Sequence, residues 1–256
     1  MLKYLAPSPT DHILDIGCGD GPLTAQIASM VPSGRVLGLD ASSSMISTAR
    51  QRYSSSAHSD CSFRVQDCTR LAQDAQADVL DGTWDRVFSN AALHWILRRP
   101  ETRMAVLRDV HAALKPGGAF VFEMGGKGNV AEVHAALVAA LVAHGVPMAE
   151  ARDASPWFFP SDVWMRRALE ESGFAVEVCE MEYRPTPVTE KDGEGQGGLE
   201  GWVELMGAAF IERVEEGRRH EVVKWVCDVL QDVNTRDEDG RTYIGYVRLR
   251  AVGRKV

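Results

Sequence analysis

Residues 13–22 read Ile-Leu-Asp-Ile-Gly-Cys-Gly-Asp-Gly-Pro, a short apolar run that closes on glycines at alternate positions, Gly17, Gly19 and Gly21. A helical pattern follows at once, Leu23-Thr24-Ala25-Gln26-Ile27-Ala28. This order predicts strand, tight turn and helix. Glycine admits the positive φ that such a turn needs and lets a ligand approach the backbone closely. The start of the helix then offers N–H groups that have no partner within the helix, which suits a polar ligand.

Two ligand readings compete for this loop. A dinucleotide site wants G-x-G-x-x-G. Gly17 and Gly19 fit that pattern, but its third glycine falls on Pro22. The spacing present is D-x-G-x-G-x-G, from Asp15 to Gly21. An acidic residue at the strand end, ahead of the glycines, suits a cationic amino-acid ligand better than a pyrophosphate. On this stretch alone, a tight turn with no ligand is the competing explanation.

The rest of the chain alternates in the same way. Strands are expected at 12–16, 35–40, 62–67, 84–90 and 119–124, with helices at 22–31, after Ser42, and over 101–114. Lys115-Pro116-Gly117-Gly118 is expected to stop the last of these helices, and the serine-rich stretch 54–60 to form a loop. Strands alternating with helices imply a mostly parallel sheet covered on both faces. The second half changes character. An alanine- and valine-rich helix is expected over 130–144, then the aromatic loop Ser155-Pro156-Trp157-Phe158-Phe159-Pro160, and a helix capped by Ser161 or Asp162 that runs to Glu171. A sixth strand is expected at 174–183, a glycine-rich loop at 189–198, helices near 199–213 and 216–233, and a last strand at 243–250 after the Asp239-Gly240 turn. Residues 184–242 join the last two strands, whereas adjacent antiparallel strands need only a few residues. A helical insertion that roofs the site is therefore expected, since such segments often carry function. The whole is read as one domain, 1–256, with cap insertions near 129–172 and 186–238.

Composition narrows the partners. The chain has 36 acidic against 28 basic residues, a net charge of −8 and a pI of about 5.4. No basic patch stands out, so nucleic acid is not an expected partner. No apolar run reaches the roughly 18 residues of a membrane span, and the N-terminus lacks a signal-peptide pattern. Cys18, Cys61, Cys68, Cys179 and Cys227 are scattered and contain no C-x-x-C, and the histidines form no H-x-x-x-H pair. Neither a disulfide framework nor a metal site is expected, and a reducing cytoplasm fits.

Two further acidic residues close strands in order. Asp40 ends the second strand, 21 residues beyond Gly19. In a doubly wound sheet, that position lies beside the first glycine loop and suits ribose hydroxyls. Asp67 ends the third strand, where a carboxylate and the Cys68 N–H suit the edge of an adenine ring. For each residue alone, a strand end or helix cap facing solvent is the competing explanation.

Together, Asp15, Gly17, Gly19, Gly21, Asp40 and Asp67 resemble the cofactor motifs of the class I S-adenosylmethionine (SAM)-dependent methyltransferases. The run Asn90-Ala91-Ala92-Leu93-His94-Trp95, the Lys115-Pro116-Gly117-Gly118 step and the later Gly198-Leu199 with Trp202 narrow the resemblance. They are similar to the trans-aconitate methyltransferase-like branch, also called the methyltransferase type 11 domain branch. The resemblance is strong over 12–125 and rests on arrangement and short echoes beyond. It implies an α/β, Rossmann-like fold, a doubly wound seven-stranded sheet that is mostly parallel, with its last strand antiparallel and a helical cap. It implies SAM as methyl donor, S-adenosylhomocysteine as product, and a small acceptor, a carboxylic acid or secondary metabolite methylated at oxygen by default. The implied cofactor residues are Asp15, Gly17, Cys18, Gly19, Gly21, Asp40, Ala41, Met45, Asp67, Cys68, Asn90 and Ala91. His94 is the candidate catalytic base, and His94, Trp95, Trp157 and Trp202 are the candidate acceptor contacts. Only residues 1–11 precede the first strand, where similar proteins carry a helical lid, so either the lid is shortened or the sequence is truncated there. A monomer or homodimer is expected. The rival readings are a non-catalytic SAM-binding partner protein and an NAD(P)-dependent oxidoreductase. Pro22 in the loop and the lack of a Tyr-x-x-x-Lys count against the second.

Overall fold

The computed structural model describes residues 1–53, 61–74, 78–189 and 197–256. Residues 54–60, and 190–196 of the expected loop at 189–198, lie outside the described residues. The first half runs α1 (Leu2–Leu5), β1 (His12–Ile16), α2 (Pro22–Met30), β2 (Arg35–Asp40), α3 (Ser43–Tyr53) and β3 (Cys61–Val65). It continues through α4 (Leu71–Asp74), β4 (Trp84–Asn90), α5 (Leu93–Ile96), α6 (Arg103–Ala113) and β5 (Leu114–Gly125). Then come α7 (Ala131–Ala143), α8 (Met148–Asp153), α9 (Asp162–Glu171), β6 (Phe174–Pro187), α10 (Gly198–Met206), α11 (Ala208–Ile211), α12 (Arg219–Asn234) and β7 (Tyr243–Lys255).

The strands form a seven-stranded sheet in the order β3-β2-β1-β4-β5-β7-β6. β1, β2, β3, β4 and β5 pair in parallel, and β7 runs antiparallel to β5. The pleat explains the two-sided core, because successive side chains point to opposite faces. Ile13 packs on one face with Leu5, Ile27, Val36, Phe88 and Val121. Leu14 and Ile16 pack on the other with Leu37, Leu39, Val87, Phe120 and Phe122. All three β1 residues are fully buried, as expected for a strand covered on both sides.

The chain leaves β1 toward β2 on one side and reaches β4 on the other. That reversal opens a crevice at the carboxyl ends of β1 and β4, where doubly wound sheets take their ligands. The Ser89 hydroxyl donates to the Ile16 carbonyl at 2.8 Å and ties the two strand ends together.

Two stretches differ from expectation. Leu114 already pairs with Trp84, so β5 begins directly where α6 ends, with a register shift between Trp84 and Arg86. Lys115-Pro116-Gly117-Gly118 therefore belongs to an irregular start of the strand rather than to a separate stop. β3 ends at Val65, so Asp67 lies past the strand and caps a 3₁₀ turn over Cys68–Arg70.

The chain divides into two compact units. The first holds residues 1–127, 158–181 and 248–256, and the second 128–157 and 182–247. Of the expected insertions, 158–172 lie in the first unit, and 129–157 with 186–238 in the second. In the second unit, α7 packs on α12, and Val133, Leu137 and Leu141 of α7 and Val222, Val226 and Leu230 of α12 are all buried. The Glu132 carboxylate accepts the Gly245 N–H at 2.6 Å, and the Asn234 amide donates to the Tyr243 carbonyl at 2.6 Å.

Candidate active site

The loop after β1 is shaped by its glycines. Gly17 takes φ +75°, and a Cβ there would lie 2.2 Å from the Cβ of Ala92. Gly21 takes φ +87° at the N-cap of α2, where a Cβ would meet the Phe63 ring at 2.7 Å, and Pro22 opens the helix. Both positions need left-handed backbone and tolerate no side chain. The N–H groups of Gly17 and Cys18 both donate to the Leu39 carbonyl, at 2.7 and 3.0 Å. The loop is thus pinned to the end of β2.

Carboxylates surround this loop. Asp15 is 2% exposed and accepts a hydrogen bond from the Thr24 hydroxyl at 2.7 Å. Burial pushes its pKa up to about 7, against the opposing effect of the Thr24 bond and with a smaller upward push from Asp40. Asp40 accepts the Gly19 N–H on one oxygen and the Ser42 N–H on the other, each at 2.9 Å. Asp67 accepts the Thr69 N–H at 2.9 Å and the Thr69 hydroxyl at 2.8 Å. Asp20 faces Arg52 at 2.5 Å on the exposed rim. Burial and the nearby carboxylates hold the Cys18 and Cys68 thiols in the neutral form, Cys68 with a pKa of about 12.

The opposite wall comes from the end of β4. Ala91 adopts φ +55° and donates its N–H to the Glu123 carbonyl at 2.8 Å. The backbone turned there brings Ala92 against Gly17 and starts α5, which carries His94 and Trp95. Trp95 is 41% exposed. His94 is 6% exposed, with its ring 5.5 Å from Trp95 and 5.8 Å from Phe159. Its Nδ1 accepts the Gly125 N–H at 3.4 Å, and its carbonyl accepts the Phe158 N–H at 2.9 Å. Burial, assisted by Arg248, lowers the His94 pKa to about 4.

Two cavities of about 390 and 290 Å³ share Gly17, Asp40, Ala92 and Trp95. Each approaches or falls within the size range of small-ligand pockets. The first brings Asp15, Cys18, Gly19, Met45, Asn90 and Ala91 to its walls, and the second Ala41, Asp67 and Cys68. Of the candidate cofactor residues, only Gly21 lies outside both linings. The sequence reading missed Asp20, Pro22, Leu23, Ala92, Thr69 and Ile96 as wall residues. Ala92 did leave a signal, since a loop glycine such as Gly17 often marks the close approach of a neighbouring backbone or side chain.

His94 lines neither cavity. A base with a pKa of about 4 is also poorly matched to proton abstraction near neutral pH. Trp157 and Trp202 belong to the second unit. There Trp157 packs with His134 and Phe210, and the Trp202 indole N–H donates to the Tyr246 hydroxyl at 2.7 Å.

The donor set fits SAM. Among the described residues, four carboxylates and no lysine or arginine line the two cavities, which favours a ligand bearing a sulfonium and an ammonium. The doubly charged pyrophosphate of a dinucleotide would meet only repulsion from these groups.

Comparison with known proteins agrees with this geometry. The methyltransferase domain family matches residues 13–118. An uncharacterized methyltransferase of Schizosaccharomyces pombe is 34% identical over 256 residues, covering 100% of this chain and 90% of that protein. The trans-aconitate 2-methyltransferase of Deinococcus radiodurans is 32% identical over 126 residues, 48% of this chain and 42% of that protein. A SAM-dependent methyltransferase from Methanosarcina mazei shares the fold with a TM-score of 0.59 at 14% identity, over 100% of this chain and 97% of that one. Phosphoethanolamine N-methyltransferase 2 of Haemonchus contortus, solved with S-adenosyl-L-methionine, does so with a TM-score of 0.55 at 20% identity, over 99% of this chain and 51% of that one. The dehydrogenase and non-catalytic readings are thereby set aside, and the chain belongs to the class I SAM-dependent methyltransferases.

Proposed function

We propose that this methyltransferase acts on a small molecule and methylates an oxygen that is already ionised, a carboxylate above all. When bound, SAM supplies a methyl group on an activated sulfonium. The protein's part is to hold the two reactants in line and to keep water out, which supplies much of the acceleration in such transfers. Asp15 takes the cofactor's ammonium group, and the loop Gly17-Cys18-Gly19, pinned to the end of β2, lets the cofactor's amino-acid end lie close against the backbone. Gly21 shapes the turn. Asp40 receives the ribose hydroxyls between Ala41 and Met45, Asp67 and the Cys68 N–H receive the adenine edge, and Asn90 and Ala91 close the opposite wall. Trp95 forms the exposed wall that an acceptor would meet.

The observation that carries the acceptor class is that His94, the candidate base, lines neither cavity and is shut away from the groove. Burial holds this residue neutral, with a pKa of about 4, so it is a weak base at neutral pH. An acceptor that arrives ionised needs no base, and a carboxylate does so. Similarity to a trans-aconitate 2-methyltransferase supports a small acid as acceptor, and similarity to a malonyl-[acyl-carrier protein] O-methyltransferase supports transfer to oxygen. The acidic composition disfavours nucleic acid as acceptor. Among the described residues, no helix is long and apolar enough to cross a membrane. The cysteines are free, which suits a reducing compartment such as the cytoplasm. We assign the protein to that compartment as a monomer or homodimer.

The test is a panel of small di- and tricarboxylates, phenols and amines, each offered with SAM, with S-adenosylhomocysteine release and product mass as readouts. Methyl esters of carboxylates, formed at a rate that is flat from about pH 6 to 9 when SAM is kept saturating at each pH, are the expected result. Turnover confined to amines or phenols, or to a macromolecule, overturns the reading.

A further inference from the structure

The buried carboxylate at the end of β1 is held from one side by an element that is not part of the glycine loop. Thr24 sits in the first turn of α2, fully buried, and its hydroxyl donates to Oδ2 of Asp15 at 2.7 Å. Among the described residues this is the hydrogen bond that Asp15 receives from the protein. Asp15 also lines the larger cavity. One carboxylate oxygen is therefore committed to the helix, and the other is left for a ligand.

We propose that Thr24 is a positioning residue for cofactor capture: it orients Asp15 toward the ligand's ammonium and favours the ionised carboxylate, which makes cofactor affinity dependent on pH. The inference rests on the reading of the groove as the SAM site. Around Asp15, burial and one carboxylate work against Thr24, and the neighbouring thiols stay neutral. Asp40, at the end of β2, adds a like charge, and the thiols of Cys18 in the loop, Cys61 in β3 and Cys68 after β3 are electrostatically linked to the acidic cluster. Among the described residues, no lysine or arginine lines the cavities to offset them. Burial alone would leave the carboxyl protonated. With the Thr24 bond in place, titration falls at about pH 7. Below it, the carboxyl takes a proton from solvent, and the ammonium loses its counter-charge. Above it, the ion pair forms.

The sequence places a threonine three residues after Gly21, where a valine would match the shape but not the bond. The experiment is calorimetric titration of the full chain with S-adenosylhomocysteine from about pH 6 to 9, on wild type, Thr24→Val and Thr24→Ser. 5′-Methylthioadenosine, which keeps the nucleoside and lacks the ammonium, is the reference ligand. Wild-type affinity for S-adenosylhomocysteine should fall as pH drops from 8 to 6. The ligand's own amine cannot cause that fall, because it only becomes more protonated in that direction. In Thr24→Val the fall should move to higher pH, with a loss at pH 7 of roughly tenfold for each unit moved. Thr24→Ser should keep the wild-type profile, and 5′-methylthioadenosine should bind all three proteins alike. A Thr24→Val profile that follows wild type, or an equal loss for both ligands, overturns the proposal. If Thr24→Val does not fold, the wild-type profile decides, and a flat one overturns it. Failure of wild type to bind either SAM or S-adenosylhomocysteine overturns the groove assignment itself.

Discussion

Asp40 accepts the main-chain N–H of Gly19 at 2.9 Å across 21 residues of sequence. One carboxylate therefore braces the glycine loop and also lines both cavities. Asp40→Ala removes the brace together with an anionic acceptor for the ligand. S-adenosylhomocysteine binding should weaken by about 1.5–3 kcal/mol for each charged hydrogen bond lost, measured by calorimetry. Asp40→Asn keeps an acceptor oxygen and should lose less. Unchanged affinity in Asp40→Ala would remove this residue from the ligand site.

Gly17 and Ala92 lock the two walls of the groove together. A Cβ on residue 17 would sit 2.2 Å from the Ala92 Cβ, on backbone at φ +75°. Overpacking and a left-handed non-glycine residue each cost on the order of 1–3 kcal/mol. Gly17→Ala should lower the melting temperature by several degrees, at roughly 2–4 °C per kcal/mol for a chain of this size. The double variant Gly17→Ala with Ala92→Gly removes the collision and keeps the backbone strain. It should recover part of the loss, and a full recovery would show that the φ value costs nothing.

How much of this was legible in the sequence differs by element. The glycine loop was readable because its requirement is local: a strand, three alternating glycines and a helix start define the turn without reference to the remaining chain. The acidic strand ends at Asp15 and Asp40 were readable for the same reason. Ala92 was legible only indirectly, as some close neighbour demanded by Gly17, because which residue fills that place is set by a contact across β1 and β4. The start of β5 at Leu114 was also hidden. Proline and two glycines read as a break, while the pairing of Leu114 with Trp84 is a tertiary interaction. His94 was placed correctly in the segment after β4. Its burial and lowered pKa depend on Phe159 and Arg248, which are distant in sequence.

His94 also makes stability depend on pH. Its pKa is about 4 in the folded protein and about 6.5 when unfolded. Between these values the unfolded chain binds the extra proton, so stability rises with pH through that window and falls as pH drops from 6.5 toward 4. The loss is on the order of 3 kcal/mol at the acid end. Urea unfolding at about pH 7.5 and pH 5 checks it. His94→Gln keeps a polar planar side chain without that titration and should show a shallower dependence. An equal slope in both proteins would assign the acid lability to other groups.

Arg103 supports the groove wall from behind. Its guanidinium donates to the carbonyls of Leu97 and Arg98, at 2.7 and 2.9 Å, and lies 3.4 Å above the Phe158 ring. Leu97 is the C-cap of α5, the short helix that carries His94 and Trp95. A cation bonded to the last carbonyls stabilises a helix end. Lysine cannot reproduce the fork or the stacking. Arg103→Lys should therefore behave like Arg103→Met, each losing about 1–2 kcal/mol of stability. Both variants should also loosen Trp95, read as a changed tryptophan emission and weaker S-adenosylhomocysteine binding. Comparison with Trp95→Phe assigns that emission. An Arg103→Lys variant with wild-type stability and affinity would mean that a simple positive charge is enough at the end of α5.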